Sequence, residues 1–157
     1  MPSGSLNRVE ILHGVNFDQL GSRDPEHYGR QTLSELEREI KGFANEFGLE
    51  ATFFQTNHEG EYVERLHRLP DSADAAILNP GAWTHYSYAI RDALEFTGMP
   101  AIEIHLSDVS KREEFRQISV FDGLDSVIGR IYGKKAEGYR EALEIIAQHL
   151  GVAAPKG

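Results

Sequence analysis

Five short apolar runs separated by helix-patterned segments constrain this chain more than any other feature. The runs cover residues 9–13, 51–56, 75–79, 101–105 and 126–132, and the third, Ala75-Ala76-Ile77-Leu78-Asn79, is apolar up to its last residue. A strand that is apolar on both faces must be covered on both, so the series predicts a parallel sheet with helices packed on each side. The helical stretches carry their own punctuation. Thr32-Leu33-Ser34-Glu35 is a capping box, and Leu33, Leu36, Ile40, Phe43, Ala44 and Phe47 recur at helical spacing until Gly48. Asn57-His58-Glu59-Gly60 is expected to be a helix entry with an amide cap. Residues 61–68 then form a short helix stopped by Pro70, and residues 87–96 a helix ended by Gly98. Ser110-Lys111-Arg112-Glu113 reads as a second capping box, opening a short helix through Phe115. Tyr139, Ala142, Leu143, Ile146, Ala147 and Leu150 make one face of the last helix.

Sheets of this kind bind ligands outside the carboxyl ends of their strands, where His13, Asn79 and His105 fall. One connection is long. Residues 14–31 join the first strand to its helix, where about 2–6 residues are usual, and such loops often serve as lids. This loop holds Asn16, Arg23, Pro25, His27 and Tyr28. Two further segments concentrate polar groups: Asn79-Pro80-Gly81-Ala82-Trp83-Thr84-His85, leading to Ser87 and Arg91-Asp92, and Ile102-Glu103-Ile104-His105-Leu106-Ser107. Glu103 and His105 are two apart on a strand and therefore share a face. That spacing suits a carboxylate that orients a histidine for general acid/base work. The competing reading makes them the solvated face of an edge strand.

Length and composition set the remaining bounds. A chain of 157 residues suits one domain, expected over residues 9–150 between tails at 1–8 and 151–157. No apolar run approaches the roughly 20 residues of a membrane span, and the N-terminus lacks the apolar stretch of a secretory signal. Cysteine is absent, which excludes disulfides, thiolate metal sites and a cysteine nucleophile, and fits a cytoplasmic protein. A net charge of -9 argues against nucleic acid or an anionic membrane as partner. An anionic small molecule remains compatible, because a local arginine cluster dominates at short range. His13, His27, His58, His67 and His149 are scattered without metal-ligand spacing.

Together these residues resemble the type II 3-dehydroquinate dehydratases. The resemblance rests on Gly14-Val15-Asn16, on Leu20-Gly21-Ser22-Arg23-Asp24-Pro25 with Tyr28-Gly29, and on Asn57-His58-Glu59-Gly60. It continues through Asn79-Pro80-Gly81 with Thr84-His85, Arg91-Asp92-Ala93-Leu94, residues 102–107 and Arg112-Glu113-Glu114-Phe115-Arg116, in order along residues 9–150. The resemblance implies a flavodoxin-like three-layer α/β sandwich with a five-stranded parallel sheet. It implies a homo-oligomer, a dodecamer arranged as a tetramer of trimers. It implies anti elimination of water from 3-dehydroquinate to 3-dehydroshikimate through an enolate, without metal or organic cofactor, in the shikimate pathway or in quinate breakdown. By position, Tyr28 resembles the base that removes the proton beside the ketone, and Arg23 the cation that favours its phenolate. Asn16 resembles the residue holding the water that stabilises the enolate oxygen. His105 is similar to the general acid for the departing hydroxyl, with Glu103 as its partner. Asn79, His85, Leu106, Ser107 and Arg116 resemble the substrate-binding set, and Asp92 would reach a neighbouring subunit's site.

The residue types agree with that chemistry. A free tyrosine has a pKa of about 10 and is a poor base unless a nearby cation lowers it, and arginine cannot lose its own proton. A histidine near neutrality can protonate a leaving hydroxide. The chain also departs from the family pattern. His13-Gly14-Val15-Asn16 stands for the usual Asn-Gly-Pro-Asn, Phe17-Asp18 for Leu-Asn, Gln117-Ile118 precede Ser119 where a histidine is usual, and Lys134-Lys135 replace small or apolar residues. Two other classes of function stand against the enzyme. One is a non-catalytic paralogue that binds a cyclic carboxylate, for which a loop base and a general acid would be superfluous. The other is an electron carrier or receiver domain. That reading would want a phosphate-cradling loop or an acidic cluster after the first strand, and His13-Gly14-Val15-Asn16 is neither.

Overall fold

The computed structural model describes residues 6–22, 24–28 and 30–152, with the backbone alone at Tyr28. The strands are β1 (Arg8–His13), β2 (Glu50–Gln55), β3 (Ala75–Asn79), β4 (Ala101–His105) and β5 (Val127–Tyr132). The helices are α1 (Pro25–Tyr28), α2 (Leu33–Glu46), α3 (Glu59–Ser72), α4 (Tyr88–Thr97) and α5 (Ala136–Leu150). Every strand pairing is parallel, in the order β2-β1-β3-β4-β5. This is the flavodoxin-like sandwich, with its switch point between β1 and β3. Among the described residues no helix is long and apolar enough to cross a membrane.

Strand alternation sorts the core into two layers. Val9, Ile11, Ile77, Ile102, Ile104 and Ile131 face α2 and α5, meeting Leu36, Ile40, Tyr139, Leu143 and Ile146. Leu12, Ala76, Leu78 and Ala101 face α3 and α4, meeting Tyr62, Leu66, Leu69, Ile90 and Leu94. His13 continues the first set, so its ring is fully buried under α2, 3.1 Å from the Glu37 carboxylate and stacked on Phe17 and Phe53. It stands at a strand end but does not line the cavity described below.

The capping box at Thr32 forms as expected, Thr32 Oγ1 accepting from the Glu35 N–H and Glu35 Oε1 from the Thr32 N–H. Three local expectations are corrected. The third helix begins at Glu59 and runs through Pro70 to Ser72. Burying Leu66 and Leu69 contributes about 1.5–3 kcal/mol each, enough to offset the roughly 3 kcal/mol that an interior proline costs. The helix start has no amide cap, because Asn57 Oδ1 accepts instead from the Asn16 N–H at 2.8 Å and from Gln55 Nε2 at 3.2 Å. The second capping box does not form either. Asp108 Oδ1 accepts from both the N–H and the hydroxyl of Ser110, Glu113 engages Arg116, and residues 109–111 and 114–117 are short 3-10 turns.

The β1–β3 register pairs His13 with Asn79, which brings the two following loops together. Gly14 N–H donates to Asn79 O at 2.8 Å, and a Cβ on Gly14 would lie 2.2 Å from Pro80 O. Backbone leaves no room for it. Gly14→Ala is therefore expected to destabilise the protein by about 2–3 kcal/mol, a fall of about 4–12 °C in Tm at this size. Thermal unfolding followed by circular dichroism checks this.

Candidate active site

The site is built from the carboxyl ends of β1, β3 and β4 and the turns that follow them. Asn16 sits in the left-handed region at φ 71, a conformation asparagine tolerates better than most residues. Its N–H is held by Asn57 Oδ1, and Gln55 Nε2 donates both to that oxygen and to Gly14 O. Across from it, Gly81 at φ 67 lies so close to Val15 that a Cβ would come within 2.9 Å of Val15 O. Asn79 is buried, and its Oδ1 accepts from the Gly81 N–H at 3.3 Å. These two loops form the floor of a cavity of about 100 Å³, lined among others by Asn16, Asn79, His85, His105, Ser107 and Arg116.

The chemistry concentrates at β4. Glu103 and His105 are on one face, and both are buried, so the edge-strand reading fails: β4 lies between β3 and β5. Glu103 Oε2 accepts from His105 Nε2 at 2.6 Å and from Arg130 Nε at 3.0 Å, while Oε1 accepts from the Ser119 hydroxyl at 2.6 Å. Burial opposes a charge on Glu103. The hydrogen bond and charge of His105, the Ser119 hydroxyl and Arg130 outweigh it and hold the carboxyl below the usual carboxylate range. Because an ionised carboxylate only accepts, His105 carries a proton on Nε2, and Nδ1 is the nitrogen that can give or take one.

His85 stacks near His105, ring centroids 6.2 Å apart. Its Nδ1 lies 2.7 Å from Ile118 O. Burial pushes the His85 imidazole below its ordinary value, and His105 and Arg116 add to this against the pull of the Ile118 carbonyl and Glu103. A neutral ring that donates Nδ1–H to a carbonyl presents Nε2 as an acceptor, which suits a ligand hydroxyl. Arg112 Nη1 approaches Ser107 Oγ at 3.4 Å, and Arg116 lies over the Phe115 ring with its Nε on Glu113. Both guanidinium groups face the cavity from the segment after β4, and there they supply the cationic rim that an anionic ligand needs.

Of the residues expected from the sequence, Asn16, Asn79, His85, His105, Leu106, Ser107 and Arg116 meet at this cavity, and Glu103 stands behind His105. Asp92 is exposed on α4 and is not among the cavity's lining residues. Arg23 and the Tyr28 side chain lie outside the described residues; the Tyr28 backbone ends α1. Sequence reading gave Asn57 a different task, a helix cap, and missed the parts played by Ser119, Arg130 and Arg112. Of these three, Arg112 had a signal of its own, lying four residues before Arg116 in the same segment.

The family described as Dehydroquinase class II matches residues 7–147. The 3-dehydroquinate dehydratase of Syntrophotalea carbinolica is 44% identical over 150 residues, 95% of this chain and 94% of that protein. That of Bacillus subtilis is also 44% identical, over 141 residues, 90% of this chain and 94% of its own. The crystal structure of type II dehydroquinase from Propionibacterium acnes superposes with a TM-score of 0.85 at 36% identity, covering 90% of this chain and 97% of that one. With the sheet order, the switch-point cavity and the Glu103–His105 pair, this places the chain in the type II dehydroquinase family.

Proposed function

We propose that the chain is a lyase that eliminates water from 3-dehydroquinate to give 3-dehydroshikimate, a step of the shikimate pathway. The observation that carries the reading is the buried Glu103–His105 bond at the wall of a cavity rimmed by Arg112 and Arg116. A carboxylate substrate suits that rim, and a hydroxyl leaving group suits the histidine.

In the reaction, Tyr28 as phenolate takes the proton from the carbon beside the ketone, and Arg23 favours that phenolate. The electron pair moves onto the ketone oxygen as an enolate, steadied by a water on the Asn16 amide. The enolate then reforms the ketone, expelling the hydroxyl on the opposite face, and His105 supplies the proton that lets it leave as water. Glu103 balances the charge on His105. Asn79, neutral His85, Ser107, the Leu106 and Ser107 backbone and Arg116 orient the ring. The active form is a homo-oligomer, a dodecamer built as a tetramer of trimers, in which Asp92 completes a neighbour's site. Exposed Tyr88 and Phe96 on α4, with Tyr86 in the turn before it, supply apolar area for such contacts. A cytoplasmic setting suits a cysteine-free chain.

The product is a conjugated enone, so ultraviolet absorbance rises as it forms. Wild-type protein mixed with 3-dehydroquinate should show that rise, and Tyr28→Phe should abolish it while leaving the far-ultraviolet circular dichroism unchanged. Turnover near wild type in the phenylalanine variant would remove Tyr28 from the role of base. His105→Ala should lower kcat by about 10²–10⁴-fold, with a smaller effect on KM. Asp92→Ala should cost activity without unfolding the chain, and size-exclusion chromatography should show activity only in the oligomer peak. A fully active monomer would refute the shared site.

A further inference from the structure

Arg130 reaches the Glu103 carboxylate from the side away from the cavity, and an irregularity in the sheet puts it there. Ala101 pairs with Val127, but Ile102 pairs with Gly129, so β5 carries one extra residue at Ile128. Glu103 is thereby opposite Arg130, and His105 opposite Tyr132. Without that bulge Glu103 would face Gly129, and Arg130 would point into the α2–α5 layer, because a one-residue slip reverses every side chain. The arginine enters beside a second cavity of about 240 Å³, lined by Glu103 and Arg130 with Phe121, Asp122 and Leu124. Its side chain is 28% exposed against 2% for Glu103, so it links the buried carboxylate to solvent through that second cavity.

We infer that Arg130 is a positioning residue that divides the charge of Glu103 with His105 and so sets the pH up to which His105 keeps its transferable proton. Both cations address the same oxygen: Oε2 accepts from His105 Nε2 at 2.6 Å and from Arg130 Nε at 3.0 Å. Arg130 cannot give up its proton. A protonated His105 therefore meets a carboxylate already half-neutralised, and it pays the repulsion of a permanent cation across that oxygen. Removing Arg130 leaves the carboxylate to His105 and the Ser119 hydroxyl alone, and the imidazolium persists to higher pH. The other groups facing His105 are unaltered by such a change. They are His85 from the turn after β3, Arg112 and Arg116 across the cavity, and Tyr132 on β5; Asp122 lies on the rear cavity beside Arg130.

The inference rests on His105 acting as the acid, so its test reads the histidine and the reaction separately. Arg130→Gln and Arg130→Lys are made in the full chain with ¹³C-labelled histidine. The His105 signal is assigned by its loss in His105→Ala, and its titration is followed by NMR beside the pH dependence of kcat. Arg130→Gln should raise the His105 midpoint by about one pH unit and carry the high-pH limb of kcat with it. KM should change little, because Arg130 does not line the substrate cavity. Arg130→Lys should restore both to near wild type, and Arg130→Met replaces the amide variant if that does not fold. A midpoint that stays or falls in a folded, charge-deleted variant overturns the inference. A midpoint that rises while the kcat limb stays fixed supports it, and removes His105 from the acid step instead.

Discussion

A carboxylate buried in the middle of a parallel sheet costs several kcal/mol unless every oxygen finds a donor, and Glu103 is such a group. Both of its oxygens are met, by three donors from three elements: His105 on its own strand, Arg130 on the neighbouring strand and Ser119 on the loop between them. Each donor then constrains more of the chain. Ser119 is fixed by a laced loop, in which Val120 N–H donates to Thr84 O and Arg91 Nη1 reaches Val120 O and Asp122 O. That same loop offers the Ile118 carbonyl to His85. The orientation of both cavity histidines thus traces to one carboxylate and to the segment wrapped around it.

The two sides of the cavity obey different physics. The β4 side is held by charge, while the β1–β3 side is held by close approach of backbone. Gly14 against Pro80 and Gly81 against Val15 leave no space for a side chain, and the left-handed Asn16 is kept in place by the Asn57 amide. Hydrogen bonds to a neutral amide contribute about 0.5–1.5 kcal/mol each, so this half depends on steric exclusion and several modest bonds together. Such a wall is stiff and suits the positioning of a water or an oxyanion. The charged half can instead change its proton content without moving atoms.

Much of the fold was legible because its signals are local. Apolar runs marked β3 and β4 to the residue, Thr32 with Glu35 marked the start of α2, and Gly98 the end of α4. Glu103 and His105 were legible for the same reason, since a period of two on a strand is a local fact. Where the sequence reading failed, a distant contact outbid the local signal. Ser110 had an acidic neighbour, Asp108, which reached its N–H first, and Asn57 was drawn across 41 positions to Asn16. Pro70 lost to the burial of Leu66 and Leu69. Arg130 was unreadable for a sharper reason: its face depends on a bulge at Ile128, and nothing in Val127-Ile128-Gly129-Arg130 announces the register to β4.

The overall charge of the chain and the charge of its cavity have opposite signs, and distance reconciles them. At physiological salt, exposed charges are screened within about 8 Å, so the excess of acids over the surface contributes little at the cavity floor. There Arg112 and Arg116 act over a few ångströms from partly buried positions, with side chains only 11% and 22% exposed. Glu113 lies against both and tempers their charge, at 3.7 Å from Arg112 Nε and 3.0 Å from Arg116 Nε. An anionic ligand entering the cavity meets guanidinium groups already fixed by Glu113 and by the Phe115 ring, so little side-chain freedom is lost when it binds.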